Sequence, residues 1–160
     1  MIIRFEQSLT VAGFLAEVKR HYGSEEELRR YSKRKPKDIL AAEDLEDFEY
    51  YSKHPEMQFE KIRRAVSVIP VNEQALSIFS PERLRLLDVL SSKQFESIRQ
   101  LAGFLKRDVH NVHEDLKRFQ ALRVLELERG PGNSRIPRLL AQYITILPTH
   151  WEKLEAFKEG

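Results

Sequence analysis

Ser97-Ile-Arg-Gln-Leu-Ala-Gly-Phe-Leu-Lys-Arg-Asp-Val-His-Asn-Val-His-Glu-Asp-Leu-Lys-Arg-Phe119 is the stretch from which the rest of the chain is read. Ser97 and Gln100 form a capping-box pair, each side chain satisfying a backbone N–H of the other's turn. Ile98, Leu101, Ala102 and Leu105 then share one face at helical spacing. This predicts a short helix, with Lys106-Arg107 as a turn and Asp108 as the cap of a second helix. In the second helix Val109, Val112, Leu116 and Phe119 recur at i, i+3, i+7 and i+10 and predict its buried face. At about 100° per residue the opposite face is then determined. It carries Arg107, His110, Asn111, Glu114, Lys117 and Arg118, with His113 on the border.

These side chains suit a duplex major groove. Asparagine bonds bidentately to adenine, a carboxylate accepts from cytosine N4, and histidine donates to guanine or phosphate. Arg107, Lys117 and Arg118 at the two ends would hold phosphates and set the register. His110 and Asn111 lie in the first turns, the part that reaches base edges in this docking mode. The plain alternative is the solvated face of a surface helix. His110 and His113 also invite a metal reading, but their only possible co-ligands nearby are Glu114 and Asp115, so no metal site is expected.

The flanks add to the pattern. Ser80-Pro81-Glu82-Arg83 is a helix start, with the cap oxygen on Ser80 and proline in the first turn; Leu84, Leu87 and Leu90 follow as its buried side. Beyond Phe119, Val124-Leu-Glu-Leu-Glu128 alternates as a half-buried strand does. Arg129-Gly-Pro-Gly-Asn-Ser-Arg135 is a turn, and Tyr143-Ile-Thr-Ile-Leu147 is strand-like. A hairpin with a basic tip is expected here, with Arg129, Arg135 and Arg138 as phosphate contacts and Asn133 and Ser134 as weaker donors. The plain alternative is an ordinary surface hairpin. Its glycines are not a nucleotide loop, because no Gly-Lys-Ser/Thr follows. Helix, short helix, turn, helix and basic hairpin together predict a winged helix-turn-helix over residues 65–147, the strand Ala65–Val71 included.

The first 64 residues read as an N-terminal helical segment serving as dimer or partner surface. Met1–Glu6 alternates weakly, as a short strand would. Ser8 or Thr10 can cap a helix carrying Val11, Phe14, Leu15, Val18 and Tyr22 on one stripe, ended by Gly23. Ser24 and Glu27 start another that stops before Pro36. Asp38–His54 reads as one or two further helices with an acidic face. Asn72 can cap a short helix, and Pro148-Thr149 begins a C-terminal helix over 148–160 with Trp151, Leu154 and Phe157 at helical spacing. The expected class is therefore mainly helical α+β.

In 160 residues, 41% are apolar, enough for a core, and no cysteine is present, which excludes disulfides and thiolate metal sites. No signal-peptide run and no window near the ~18 apolar residues of a membrane helix is found; a soluble, cytoplasmic protein is expected. Net charge is +2, unevenly spread. Ser80–Leu139 holds 12 Lys/Arg against 8 Asp/Glu, and Asp38–Glu60 holds 8 acidic residues against Lys53 alone. A basic half beside an acidic half suits a nucleic-acid binder with a segment kept off phosphate. No nucleophile–base pair, metal-ligand set or phosphate loop stands out, so neither an enzyme nor a cofactor is expected.

The residues Ser97-Ile-Arg-Gln-Leu-Ala and Lys106-Arg-Asp-Val-His-Asn-Val-His-Glu-Asp-Leu-Lys-Arg-Phe119 resemble a family of prokaryotic predicted transcriptional regulators with a MarR-like winged helix-turn-helix. Its recognition segment runs Arg-Asp-Val-x-x-Val-His-x-Asp-Val/Leu. Phe79-Ser-Pro-Glu-Arg-Leu-Arg-Leu-Leu87 resembles the family's opening helix, and Val66-Ser-Val68 and Tyr143-Ile-Thr-Ile146 resemble its flanking strands. The resemblance covers roughly Val66–Ile146 and implies binding of double-stranded DNA and transcriptional regulation, in some members as an antitoxin. The family has glycine where Lys106 and Arg123 stand; a positive φ at Arg123 would strain it by on the order of 1 kcal/mol. The expected function is sequence-specific duplex binding by a homodimer, with helix 108–121 in the major groove and the loop 129–136 on the backbone. The alternative is a protein-interaction module whose acidic segment 38–60 captures a basic partner.

Overall fold

The computed structural model describes residues 1–148. Helices begin where a side chain satisfies an N–H of the first turn that has no intrahelical partner. Thr10 accepts from Gly13 at the start of α1 (Val11–Tyr22), Ser24 from Glu27 at α2 (Glu25–Arg34), and Asp38 from Ala41 at α3 (Ile39–Ser52). Asn72, Ser80, Ser97 and Asp108 do the same for α4 (Glu73–Leu76), α5 (Pro81–Ser92), α6 (Ile98–Leu105) and α7 (Val109–Ala121). Gly23, at φ 99°, terminates α1.

The strands are β1 (Ile2–Thr10), β2 (Lys61–Pro70), β3 (Leu125–Arg129), β4 (Arg135–Leu139) and β5 (Tyr143–Leu147). β2, β1 and β5 form one sheet in that order, and β3 and β4 form a second, antiparallel pair.

This corrects the expected class. The chain is α+β, with seven helices and two antiparallel sheets among the described residues, and not a mainly helical winged helix-turn-helix. Two strands were longer than their sequence suggested. β1 continues past Glu6 to Thr10, and β2 begins at Lys61, four residues before the β-branched run. Lys61, Arg63 and Arg64 hide the start of β2 in the sequence; Arg64 is nonetheless buried, because Asp44 neutralises it. The expected C-terminal helix with Trp151, Leu154 and Phe157 lies outside the described residues.

Two compact units divide the described residues, one of Met1–Phe5 with those from Val66 onward, the other of Glu6–Ala65. In the second, Phe14, Val18, Leu28, Ala41 and Phe48 form the core. Asp44 is buried there, bound bidentately by Arg64 through Nε and Nη2, both at 2.9 Å, with the Tyr22 hydroxyl at 3.4 Å. Burial, and next the Asp44 carboxylate, push the Tyr22 phenol above its ordinary pKa. Burial alone would lower that of Arg64, but the bonds to Asp44 outweigh it and hold the guanidinium above its ordinary value. The first unit packs Leu86, Leu101, Val112, Leu116, Phe119, Val124 and Leu125 with Ile3 and Phe5.

Both α6 and α7 end in a left-handed residue. Lys106 (φ 54°) and Arg123 (φ 59°) are the two non-glycine residues at positive φ among those described. Each closes its helix with the same pair of bonds. Lys106 N–H donates to Gly103 O and Arg107 N–H to Ala102 O; Arg123 N–H donates to Gln120 O and Val124 N–H to Phe119 O. This is the Schellman closure, in which glycine is the unstrained residue. Lys106→Gly and Arg123→Gly are each expected to stabilise the protein by about 1 kcal/mol, read from urea denaturation midpoints; no gain at either position would remove strain from the account.

Candidate nucleic-acid interface

The turn before α7 is fixed by one carboxylate. Asp115 falls on the core face of α7, between Val112 and Leu116, and is 5% exposed. A charge so placed requires partners. Arg83 of α5 donates Nε to it at 2.9 Å, and Arg107 of the turn donates Nη2 at 2.7 Å. Arg118 Nη1 stands at 3.8 Å. Arg83 also donates Nη1 to the Ser77 carbonyl at 2.6 Å. One buried group thereby joins the segment before α5, α5 itself, the turn and α7.

Arg107 was read in the sequence as a phosphate contact on the exposed face; it is half-buried and committed to Asp115. Its Nη1 is buried without a hydrogen-bond partner among the described residues. Val109, expected on the buried face, is 41% exposed, because the first residue of the helix precedes the turn that faces the core. Val112, Leu116 and Phe119 are buried as expected.

The remaining polar residues of α7 line two shallow concavities that share Glu114. His110, His113 and Lys117 face one of about 540 Å3 with Asp108 and Val109. Asn111 and Arg118 face one of about 310 Å3 with Ser80, Glu82 and the Asp115 cluster. His110, Asn111, Lys117 and Arg118 are exposed, and His113 and Glu114 half-buried. Lys117 Nζ lies 3.6 Å from Glu114, three residues away. Among the described residues no group of three or more His, Cys, Asp or Glu side chains is placed to hold a metal.

The hairpin separates its arginines by strand parity. Leu125 pairs with Leu139, Leu127 with Pro137 and Arg129 with Arg135, so these six share a face. Glu126, Glu128, Ile136 and Arg138 occupy the other. There Arg138 Nη1 is held by Glu128 at 2.7 Å and Glu126 at 3.8 Å. Arg138 is therefore turned away from Arg129 and Arg135 and already carries counter-charge. Ser134, expected as a donor to phosphate, instead closes the turn: its hydroxyl donates to Pro131 O at 2.7 Å, and its carbonyl accepts from Gly130 N–H at 3.0 Å. A Cβ on Gly130 would stand 2.5 Å from the Ser134 hydroxyl, so the tip requires glycine there. Asn133 is exposed at the tip. Arg129 and Arg135 are exposed, directly opposite one another, and have no ion-pair partner among the described residues.

Residues 78–146 match the HVO_A0114 family model. That similarity covers α5 to the penultimate residue of β5, less than half the chain, and contains both the Asp115 cluster and the hairpin. No curated protein and no solved structure matches the chain.

Sequence reasoning missed Arg83 and Asp115. The signal for Asp115 was present, a carboxylate in the apolar stripe of α7, whereas its partner lies 32 residues earlier. The acidic segment 38–60 is partly engaged within its own unit. Asp38 caps α3 and accepts the Tyr31 hydroxyl at 2.9 Å, Asp44 holds Arg64, and Glu49 accepts from Arg29 at 2.8 Å. Asp115→Ala would leave Arg83 and Arg107 half-buried without their counter-charge. The expected loss of stability is about 3 kcal/mol in urea denaturation; a loss under about 1 kcal/mol would show the cluster to be an ordinary surface ion pair.

Proposed function

We propose that this chain binds double-stranded DNA and regulates transcription, with α7 in the major groove and the hairpin tip on the flanking backbone. The observation that carries the reading is the arginine pair at that tip. Arg129 and Arg135 stand directly across the ladder with no ion-pair partner among the described residues, and like charges so placed repel and weaken the pair. A phosphate between them would relieve that repulsion. Exposed His110, Asn111, Lys117 and Arg118 on α7 supply groups able to bond base edges and phosphates. The resemblance to prokaryotic regulators supports regulation as the outcome of binding.

Self-association as a homodimer belongs to the same reading. β5 is an outer strand, and its exposed Tyr143, Ile144 and Ile146 offer apolar surface for a second copy. Capture of a basic partner by segment 38–60 has narrower support, from exposed Glu46, Glu56 and Glu60 and from Phe59, which is 81% exposed.

The reading separates a residue that selects sequence from one that holds backbone. Asn111→Ala is expected to relax preference at one base position at a cost of about 1–3 kcal/mol. Arg135→Ala should weaken all duplexes alike and lower the salt slope of log affinity by about one. Site selection from a random library, followed by anisotropy titrations at several salt concentrations, measures both. An unchanged slope in Arg135→Ala would remove the hairpin from the interface.

A further inference from the structure

The end of α2 and the turn after it carry positive charge without counter-charge. Lys33, Arg34, Lys35 and Lys37 are four cations in five residues, and no other five consecutive residues of the chain hold as many. All four are exposed, and none has an ion-pair partner among the described residues. The first half of the same helix is arranged differently. There Arg29 is held by Glu25 at 3.1 Å and Glu49 at 2.8 Å, and Arg30 by Glu27 at 3.3 Å. The carboxylate that adjoins the run, Asp38, is engaged: Oδ1 accepts the Ala41 N–H and Oδ2 the Tyr31 hydroxyl.

Helix electrostatics account for half of the run. Lys33 and Arg34 lie in the last turn of α2, the end at which the helix dipole favours cations. Lys35 and Lys37 lie beyond that turn and just before the N-terminus of α3, the end at which cations are disfavoured. The segment is nonetheless built as a defined turn. The Lys35 N–H donates to Tyr31 O at 2.9 Å and the Asp38 N–H to Lys35 O at 3.0 Å, and Pro36 fixes φ between them. The cations therefore stand on a backbone ordered before any ligand arrives, which lowers the cost of binding one.

The composition of the run indicates the class of ligand. It holds no aromatic and no amide side chain, and Pro36 is its only apolar residue. Protein interfaces draw their affinity from aromatic and arginine anchors in buried pockets, and base readout needs groups that bond or stack on bases. Backbone phosphates need only cations. We infer that Lys33–Lys37 is a sequence-independent phosphate-docking surface for duplex DNA, carried by the Glu6–Ala65 unit. This rests on the duplex-binding reading, and it places a second DNA contact outside residues 78–146, the part that matches the family model. Linked to a unit that selects sequence, such a contact adds affinity without adding selectivity. It also divides the N-terminal unit by function, a basic run at 33–37 for phosphate followed by the acidic segment 38–60.

The full chain carrying Lys33→Gln, Arg34→Gln, Lys35→Gln and Lys37→Gln together tests the inference. Thermal denaturation should be unchanged, since none of these side chains makes a hydrogen bond or ion pair among the described residues. Anisotropy titration with a random duplex should show affinity reduced about tenfold or more and a salt slope lower by about two to three. The base preference found by site selection should stay as in wild type. Lys35→Gln with Lys37→Gln, confined to the turn, should lower the slope by about one to two and keeps the test valid if the fourfold variant is unstable. A folded variant with wild-type slope and affinity would overturn the inference. So would unchanged duplex affinity with lost binding to phosphatidylserine–phosphatidylcholine vesicles, or with lost self-association in size-exclusion chromatography. Those results would assign the run to an anionic membrane or to the acidic segment of a second copy. If Arg135→Ala weakens duplex binding and the fourfold variant does not, this contact alone falls. The reverse would support it and remove the hairpin. A wild type that binds no duplex at low salt overturns both readings.

Discussion

The half-buried ion cluster centred on Asp115 sets the geometry on which the candidate interface depends. A carboxylate on the core face of α7 is tolerated only because Arg83 and Arg107 reach it, from α5 and from the turn. Their three-way contact fixes how α7 leaves the turn and therefore which of its residues face outward. The cluster also removes Arg107 from the exterior. Two cations to one principal carboxylate leave positive charge beside Asn111 and Arg118, although Glu82 and Glu114 border the same concavity. The cluster orients the helix, and the free cations that could meet phosphate lie elsewhere.

Those cations occupy places where local stability has been sacrificed. Arg129 and Arg135 repel each other across a hairpin end, and Lys106 sits in a left-handed position. Each is the reverse of what packing or backbone preference alone would select. Where a cation would have been relieved by a carboxylate, as with Arg138 beside Glu126 and Glu128, the structure supplies one. The contrast between paired and unpaired arginines on a single hairpin is the strongest local argument for an external anion.

What could be read from the sequence follows the range of the forces involved. The helix starts capped by Ser24, Asn72, Ser80, Ser97 and Asp108 were legible, and that at Thr10 as one of two choices with Ser8, because the capping bond spans three residues; Asp38 was read inside its helix and is its cap. The hairpin loop was legible from its glycines and proline, and the strain at Arg123 from the missing glycine. The parity separating Arg138 from Arg135 was also present in the sequence: three residues apart in a strand means opposite faces. Asp115 and Arg64 were not legible as buried ions, since their partners lie 32 and 20 residues away. The length of β2 was hidden for the same reason, because a buried arginine reads as a loop until Asp44 is found. These long-range pairs, together with the full extent of β1, account for the difference between the mainly helical expectation and the α+β chain observed.

The most direct test of the central claim is the affinity of the wild-type protein for random duplex DNA across a salt series. Phosphate neutralisation releases condensed counterions, so log affinity should fall linearly with log salt at a slope of about −0.9 per phosphate engaged. Contacts at the hairpin tip and α7 predict a slope of several units and binding that strengthens markedly at low salt. A folded protein with no measurable duplex binding at low salt would contradict the account, and would turn attention to the acidic surface of segment 38–60.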